Sequence, residues 1–222
     1  MRSMKAILIY SGGLDSTTLL YDLISQGVDV DCLTFDYGQR HRREIASACE
    51  ISTELGVRHD IVPLGGLTPF LESSGSSLVS DSDVPDCYYT DESAKRTVVP
   101  GRNLVMLSVA AAIAESRGIT KVFYAAHSSD WSIYPDCRPE FYEAARQAIV
   151  LSSAWHPVDL VAPYIEMDKA AVVRRGVILG VPFEKTWSCY KGGDFPCGTC
   201  PTCVERLEAF EAAGFEDPTR YL

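Results

Sequence analysis

The feature that most constrains this chain is a pair of glycines placed directly after a short apolar run near the N-terminus. The run is Ala6-Ile7-Leu8-Ile9-Tyr10, and Ser11, Gly12 and Gly13 follow it. A continuous apolar run of this length is typical of a buried parallel strand. Paired glycines let the backbone turn sharply into a helix and place no Cβ between the backbone and a ligand. The sequence therefore predicts a strand–loop–helix unit whose helix N-terminus can bind an anion such as phosphate.

The residues after the glycines predict how this loop ends. A helix is expected to continue through Leu19, Leu20 and Leu23, with Asp15 or Ser16 as its N-cap. Two familiar phosphate loops are excluded, because the loop lacks the Lys-Ser/Thr pair of the Walker pattern and the third glycine of the dinucleotide fingerprint. For two glycines alone, an ordinary strand–turn–helix without a ligand remains the alternative.

Size and charge narrow the class of protein. The chain has 222 residues, of which 46% are hydrophobic, enough for one substantial core with a small appendage. The formal net charge of −10 repels polyanions, which disfavours nucleic acid as the main partner and favours a small molecule. We find no apolar run near the ~20 residues that a membrane span needs and no signal-peptide pattern, so we expect a cytoplasmic protein that contacts no membrane.

Strand-like and helix-like patterns alternate along the chain. They predict strands at 28–35, 59–64 and 121–126 and helices at 41–55, 103–117, 139–151, 168–179 and about 202–213. Such alternation predicts an α/β fold with a doubly wound, mainly parallel sheet. The stretch 65–97 is rich in Ser, Gly, Asp and Pro and is interpreted as a long loop or lid. We expect residues 1–186 to form the α/β domain and 187–222 to form a metal-binding segment and a last helix packed on it.

Polar residues follow several of the predicted strands. Residues 36–41 (D-Y-G-Q-R-H) come after the second strand and should face the same crevice as the glycine loop, although a charged turn with a helix cap is an equal alternative. Arg102 and Lys169 lie at predicted helix N-termini and could neutralise phosphate charge, whereas solvated surface positions are the alternative. The run 134–141 carries two acids and an arginine between two prolines, more than a plain loop requires.

Four cysteines form the pattern that most specifically indicates a metal site. They have the pattern Cys189-x7-Cys197-x2-Cys200-x2-Cys203, with glycines and a proline between them. Four thiolates so closely spaced can enclose one tetrahedral ion, and structural Zn²⁺ is the natural occupant. An iron–sulfur cluster is the alternative for Cys-x2-Cys-x2-Cys. Four protein ligands leave no open coordination position, so the metal is expected to fold this segment rather than to catalyse.

The ordered motifs together resemble a known family. The loop S-G-G-L-D-S-T-T resembles that of the ATP pyrophosphatases, which cleave ATP between the α and β phosphates. Adding F-D-Y-G-Q-R-H, V-P-G-R-N, Y-P-D-C-R-P-E-F and the cysteine pattern, the chain resembles the 7-cyano-7-deazaguanine synthases of the queuosine pathway over nearly its full length.

This resemblance implies a fold, a reaction and its cofactors. The fold is that of the adenine nucleotide alpha hydrolases, and the assembly is a homodimer. The reaction converts 7-carboxy-7-deazaguanine and ammonia to 7-cyano-7-deazaguanine through an acyl-adenylate and an amide. It consumes ATP with Mg²⁺, while Zn²⁺ is structural.

The resemblance also assigns roles to residues of this chain. The implied cofactor-binding residues are Tyr10, Ser11, Gly12, Gly13, Leu14, Asp15, Ser16, Thr17, Asp36, Gln39, Arg40 and His41. The implied catalytic residues are Asp15, Ser16, Arg102 and Lys169. The implied substrate-binding residues are Asp130, Tyr134, Asp136 and Arg138. The implied metal ligands are Cys189, Cys197, Cys200 and Cys203.

Other functions remain open at this point. The run 125–131 departs from the usual motif of the family, so a related ligase could stop at the amide or transfer the adenylated deazapurine to another acceptor. A tRNA-modifying relative is disfavoured by the acidic charge. A zinc-ribbon binding module without catalysis is the alternative from another class.

Overall fold

The fold is a parallel sheet with helices on both faces. The computed structural model of the protein describes residues 4–39, 42–88, 92–153 and 155–222. In that part of the chain the sheet has five strands, in the order β3-β2-β1-β4-β5. The strands are β1 (Lys5–Ile9), β2 (Asp29–Asp36), β3 (Arg58–Pro63), β4 (Lys121–Phe123) and β5 (Asp159–Val161). Every pairing between neighbours is parallel, which confirms the predicted α/β, doubly wound architecture.

Helices connect these strands. They are α1 (Leu14–Ser25), α2 (Arg43–Leu55), α3 (Thr68–Glu72), α4 (Arg102–Ser116), α5 (Pro139–Ser152), α6 (Lys169–Leu179) and α7 (Pro201–Ala213). Short 3₁₀ turns lie at Gly65–Leu67, Glu92–Thr97, Ser128–Ser132, Pro135–Cys137 and Phe183–Lys185. The five longer predicted helices are present with ends within a few residues of the prediction.

The alternation of side chains along each strand divides the core into two layers. In β1, Ala6 and Leu8 pack with α1, α6 and α7 on one face of the sheet, whereas Ile7 packs with α4 and α5 on the other. All three side chains are fully buried. Successive strand residues point to opposite faces, so an uninterrupted apolar run is what a strand covered on both sides requires.

The strand order locates the crevice in which a ligand can bind. The chain proceeds from β1 through β2 to β3 on one side and then crosses to β4 and β5 on the other. The order therefore reverses between β1 and β4, and open parallel sheets bind ligands beyond the carboxyl ends of the strands at such a point.

Three details differ from the sequence prediction. The strand β5 has only three residues and was not predicted. The strand β4 ends at Phe123 rather than at 126, after which the chain leaves the sheet. The N-cap of α1 is Gly13, without a side-chain cap, so the expected capping by Asp15 or Ser16 is wrong. The Ser16 hydroxyl instead accepts a hydrogen bond from the N–H of Ser11 at 3.2 Å, which fixes the loop before the helix.

The stretch 65–97 is mostly irregular, as predicted, but it is not detached from the core. It contains α3 and two short 3₁₀ turns. Leu78 and Val79 are buried among the residues that pack on the α4 side of the sheet. The N–H of Ser77 donates to the carbonyl of Arg96 at 2.8 Å, so the middle of the stretch is tied to its C-terminal end.

One segment passes a length-and-composition test for a membrane span. It is Glu92–Ser116, which is long and apolar enough to cross a bilayer. Its helical part, α4, contacts β1, β4 and α5, and Leu107 and Ala110 are buried in the core. These contacts are those of a core helix in a globular fold.

Candidate active site

The glycine loop is held in place by the segments on both sides of it. Gly12 has φ +76°, and a Cβ there would lie 2.6 Å from the backbone nitrogen of Ala48 on α2. The carbonyl of Gly12 accepts hydrogen bonds from the N–H of Trp187 at 3.0 Å and from the hydroxyl of Ser47 at 3.3 Å. Only glycine suits this position, because a side chain would clash with α2 and would disfavour the positive φ.

A cavity of about 270 Å³ opens beside this loop, at the carboxyl ends of β1, β2 and β4. Eleven of the residues predicted to bind nucleotide or substrate or to catalyse line it: Tyr10, Ser11, Gly13, Leu14, Asp15, Ser16, Gln39, Arg102, Asp130, Tyr134 and Lys169. The structure therefore brings together residues from the loop, from the turn after β2 and from the N-terminal ends of α4 and α6.

Other predicted residues lie elsewhere. Gly12, Thr17 and Asp36 are not part of the cavity wall. Asp36 pairs with Arg42 at the surface. Arg40 and His41 lie outside the described residues, so the structure says nothing of these two predictions.

Asp136 and Arg138 also lie outside the cavity wall. A carboxylate oxygen of Asp136 accepts the backbone N–H of Asn103 at 3.1 Å, in the first turn of α4. The exposed Arg138 donates to the carbonyl of Trp131 at 2.8 Å. Both contacts organise the turn before α5, and the roles in substrate binding remain predictions.

At the bottom of the cavity lie five charged or titratable side chains, which we call the floor cluster: Asp15, His127, Asp130, Lys169 and Glu205. The Lys169 ammonium donates to Glu205 Oε2 at 2.6 Å and lies 3.3 Å from Asp15 Oδ2. His127 Nε2 lies 3.5 Å from Asp15 Oδ1 and 3.5 Å from Asp130 Oδ2. His127, Lys169 and Glu205 are all buried. Charges held this close in a buried site interact strongly, since little water screens them.

The floor cluster shifts the pKa of its members. Burial opposes ionisation of Asp15, but the neighbouring Lys169 and His127 outweigh it and hold the pKa of that carboxyl well below its usual range. Burial disfavours the charged form of His127, yet Asp130 and Asp15 raise the pKa of its imidazole to about 9. Burial raises the pKa of Glu205, an effect that Lys169 partly offsets. Perturbed groups gathered in a cleft are typical of a functional site.

The chain folds so that a turn delivers two of these side chains. His127 directly precedes the 3₁₀ turn Ser128–Ser132, and Asp130 lies within that turn. The N–H and hydroxyl of Ser128 both donate to the carbonyl of Met167, at 2.8 and 2.9 Å. The N–H of Lys169 donates to the hydroxyl of Ser129 at 3.1 Å. These bonds fasten the turn to the start of α6, so His127, Asp130 and Lys169 keep a fixed relation.

On another side of the cavity, Arg102 lies among tyrosines. Its guanidinium donates to the hydroxyl of Tyr37 at 3.3 Å and lies about 6 Å from the ring centroids of Tyr37 and Tyr134. The hydroxyl of Tyr134 is in turn 3.2 Å from that of Tyr190. No carboxylate of the described residues lies within the 4.0 Å of an ion pair to Arg102, so the arginine remains available to an anionic ligand.

The four cysteines form a candidate metal centre next to the cavity. The sulfur atoms of Cys189, Cys197, Cys200 and Cys203 all lie within 4.8 Å of one another. The sulfurs of Cys197 and Cys203 are 3.9 Å apart. Four thiolates bound to one tetrahedral ion at about 2.3 Å would be about 3.8 Å apart. Backbone N–H groups point at the sulfurs of Cys189 and Cys197, which stabilises thiolate charge.

Sequence reasoning missed several residues of the cavity. His127 was noted only as a departure from a motif, and Glu44, Tyr190 and Glu205 were not singled out. Tyr37 stands inside the F-D-Y-G-Q-R-H motif, which could have identified it. Glu205 had no such signal, because it lies two positions after Cys203 on a helix and reaches the cavity only through the packing of α7 on α6.

Comparison with known proteins agrees with this geometry. The family described as "Queuosine biosynthesis protein QueC" matches residues 5–214. The chain is 49% identical to a 7-cyano-7-deazaguanine synthase of Archaeoglobus fulgidus, over 97% of this chain and 89% of that protein. It is 50% identical to a 7-cyano-7-deazaguanine synthase of Methanoregula boonei, over 98% of this chain and 99% of that protein.

Solved structures support the fold alone. A 4-thiouridine synthetase–RNA complex with bound ATP has a TM-score of 0.53 and 19% identity, over 95% of this chain and 53% of that one. An NMN synthetase from Francisella tularensis has a TM-score of 0.50 and 15% identity, over 81% of this chain and 63% of that one. The chain thus spans between half and two thirds of the length of these structural relatives.

Proposed function

Because the chain belongs to the QueC family of queuosine biosynthesis proteins, we propose that it is a 7-cyano-7-deazaguanine synthase acting on 7-carboxy-7-deazaguanine, ATP and ammonia. The observation that carries this proposal is the cavity where β1 meets β4. It joins an anion-binding type of loop, Gly13–Ser16, to a buried cation, Lys169, and a partly buried one, Arg102. The proposed reaction needs both a site for the triphosphate of ATP and a site for an anionic heterocycle.

The reaction begins with activation of the carboxylate. A carboxylate oxygen attacks the α-phosphorus of ATP, the bond from that phosphorus to the bridging oxygen breaks, and pyrophosphate leaves. Ammonia then attacks the carbonyl carbon of the acyl-adenylate, loses a proton and displaces AMP, which gives the amide. The amide oxygen then attacks the α-phosphorus of a second ATP and a second pyrophosphate leaves, after which loss of AMP and the two amide protons gives the nitrile.

The protein mainly positions these groups and stabilises developing charge. The backbone N–H groups at the start of α1 and the hydroxyls of Ser11 and Ser16 would hold the pyrophosphate. Lys169, held by Asp15 and Glu205, adds positive charge on one side of the leaving group. Arg102 supplies the second cation and would face the bound ligand from the tyrosine-lined wall of the cavity.

Recognition of the deazapurine is proposed for the residues near Arg102. Asp130 and Tyr134 line the cavity. The carboxylate of Asp130 can pair with the amino-pyrimidinone edge of the deazapurine, and the ring of Tyr134 can stack beside the heterocycle. Asp136 and Arg138 would support this region from behind, through the first turn of α4 and the turn before α5.

Two inorganic cofactors fit residues that are present. Zn²⁺ suits the four cysteines by ligand type and sulfur spacing, and its closed coordination would stabilise the segment that carries Cys189 into the cavity wall. Mg²⁺ prefers oxygen ligands, and Asp15 Oδ1 is a buried oxygen without a hydrogen-bond partner among the described residues. When bound, Mg²⁺ would neutralise phosphate oxygens of ATP.

The wider setting is also proposed. We propose a cytoplasmic homodimer that binds no nucleic acid, in keeping with the net charge of −10. We also propose the division into an α/β domain at 1–186 and a zinc-binding segment at 187–222. Sedimentation velocity on the zinc-loaded protein tests the assembly, and a monomer at micromolar concentration would reject the dimer.

One assay tests the reaction. The zinc-loaded protein receives 7-carboxy-7-deazaguanine, ATP and ammonium, and mass spectrometry follows carboxylate, amide and nitrile. We expect nitrile with two AMP for each molecule formed, and we expect Asp15→Ala to reduce AMP release at least about 100-fold. Asp22→Asn is the matched control, because Asp22 lies on the same helix but faces Arg175 and Tyr164 away from the cavity wall.

The alternatives give different results in the same assay. Amide that accumulates without nitrile would identify a ligase that stops one step earlier, and the run 125–131 in the cavity wall motivates this second candidate. Absence of AMP release with the wild-type protein would favour a zinc-ribbon module without catalysis.

A further inference from the structure

Three members of the floor cluster have the arrangement of metal ligands. One ligand atom each from His127, Asp130 and Glu205 lies within 4.8 Å of the others. Ligands around one ion with bonds of about 2.1 Å are at most about 4.2 Å apart. Small side-chain rotations would therefore bring all three atoms to bonding distance of a single ion.

Some buried polar atoms of the floor cluster make no hydrogen bond. His127 Nδ1, Asp15 Oδ1 and Glu205 Oε1 are buried and make no hydrogen bond with any described residue. Glu205 uses its other oxygen, Oε2, for Lys169, so Oε1 remains able to accept an additional ligand. A buried polar atom without a partner costs free energy, and its presence in a cavity wall points to a ligand that completes it.

The charge of the floor cluster also requires a cation. Asp15 and Glu205 contact the Lys169 ammonium, and His127 lies 3.5 Å from both Asp15 and Asp130. With Lys169 and a protonated His127, one negative charge of the three carboxylates remains uncompensated. A divalent ion bound to His127 would take the place of its proton and compensate that charge. The turn that carries His127 and Asp130 is fastened to the start of α6, so these two ligands cannot move apart to relieve the repulsion.

We propose that His127, Asp130 and Glu205 bind a divalent first-row metal ion in the floor of the cavity, in the absence of nucleotide. The donor set of one imidazole and two carboxylates favours an ion that accepts both nitrogen and oxygen, such as Mn²⁺, over Mg²⁺. This site is separate from the four cysteines, whose thiolates favour zinc.

The role given to this metal ion rests on the proposed function, whereas the existence of the metal site does not. An ion at this place lies next to Asp15 and Lys169, below the loop proposed to hold pyrophosphate. It would keep these two side chains oriented and add positive charge where the leaving group develops negative charge. Lys169 and the ion would share Glu205, one on each carboxylate oxygen.

Manganese binding to the nucleotide-free protein tests the proposal. The cysteine site is first loaded with zinc, and free Mn²⁺ is then quantified by its electron paramagnetic resonance signal during titration. We expect one Mn²⁺ per chain. We also expect electron spin echo modulation from one coordinated ¹⁴N, which reports His127 as a ligand.

The variants His127→Gln, Asp130→Asn and Glu205→Gln each remove one ligand with little change in size. Each should weaken Mn²⁺ binding at least about tenfold, and His127→Gln should also abolish the ¹⁴N modulation. Glu208→Gln is the matched control, because Glu208 is exposed on the same helix as Glu205. It should bind Mn²⁺ as the wild type does.

Three outcomes would overturn the proposal: no stoichiometric Mn²⁺ at millimolar concentration, bound Mn²⁺ without ¹⁴N coupling, or equal affinity in wild type and ligand variants. Should one variant not fold, the other two decide. Failure here leaves the synthase assay unaffected, because that assay measures nitrile. Metal binding without nitrile would reject the synthase function and keep the site.

Discussion

The molecule has two clusters with the chemistry of metal ligands, and they differ in how the chain builds them. The cysteine cluster is local, since all four ligands lie between positions 189 and 203. The ligands of the floor cluster come from the turn after β4 and from α7, far apart along the chain. On the proposed zinc occupancy, the cysteine cluster depends on its ion to hold a loop together. The elements that carry the floor cluster instead pack into the core of the fold.

The helix α7 connects the two clusters. Cys203 lies in its first turn and Glu205 follows two residues later, so the start of this helix carries one ligand of each. Ser188, Cys189 and Thr202 of the cysteine segment also line the cavity. Changes that unfold the cysteine segment should disturb the cavity, but changes in the floor cluster should leave the cysteines in place. The predictions below test this asymmetry.

The largest effect is expected from Cys200→Ser. Removing one thiolate should abolish tight zinc binding, and the segment 187–203 has few apolar residues to fold it otherwise. We expect loss of soluble protein, or a destabilisation of at least several kcal/mol and a fall in melting temperature of about 10 °C or more. Metal analysis and thermal unfolding measure both quantities.

Cys49→Ser is the control for this variant, because Cys49 lies on α2 outside the cluster. It should keep one zinc per chain and a nearly normal melting temperature. A Cys200→Ser protein that is free of zinc yet melts like the wild type would contradict the structural role of the metal.

A smaller effect is expected from Lys169→Gln. The ammonium is the shared partner of Asp15 and Glu205, and its loss leaves the buried Glu205 without a cation and Asp15 with His127 alone. We expect a destabilisation of about 3–5 kcal/mol and a reduction of AMP release of about 100-fold or more, with zinc content unchanged. Chemical denaturation, the synthase assay and metal analysis measure the three quantities.

Lys185→Gln is the matched control, because Lys185 forms only exposed ion pairs with Glu50 and Glu54. Its activity and melting temperature should equal those of the wild type. Loss of zinc from Lys169→Gln would break the asymmetry, since the two clusters would then depend on each other in both directions.

The distance along the chain between the residues of a site also explains which features could be predicted from the sequence. The glycine loop and the cysteine pattern are visible because their residues are neighbours in the chain, and the alternation of apolar runs was enough to predict the parallel sheet. The strand β5 was missed because three residues carry too little periodicity to recognise. The cap of α1 was predicted wrongly because the helix begins at Leu14, so Asp15 and Ser16 already lie within its first turn and Asp15 pairs with Lys169.

The residues of the cavity wall also differ in whether the local sequence could identify them. Lys169 and Arg102 were predicted from their places at helix N-termini, and both line the cavity. Glu205 could not be predicted, because it meets the cavity only after α7 packs on α6. A residue whose position depends on several packed elements leaves no pattern in the local sequence.

The smallest effect is expected from Asp217→Asn, which changes a buried ion pair next to both clusters but belonging to neither. Asp217 accepts two hydrogen bonds from Arg206 of α7, at 2.8 and 2.9 Å, and both side chains are buried. The variant keeps the shape of the side chain but removes its charge. We expect a destabilisation of about 1–3 kcal/mol at pH 7, with zinc and Mn²⁺ binding unchanged.

The pH dependence of this variant provides a sharper test. Burial raises the pKa of Asp217, but the bonds from Arg206 outweigh it and lower the pKa overall. The stability from the ionised carboxylate is therefore fully present above the unfolded pKa of about 3.9 and is lost as the pH falls through the lower folded value. Urea unfolding should show a difference between wild type and Asp217→Asn that is constant from pH 5 to 7 and shrinks below about pH 4. Zinc release in acid affects both proteins alike, so only their difference is interpreted, and a difference that grew as the pH fell would contradict the assignment of the charge to Asp217.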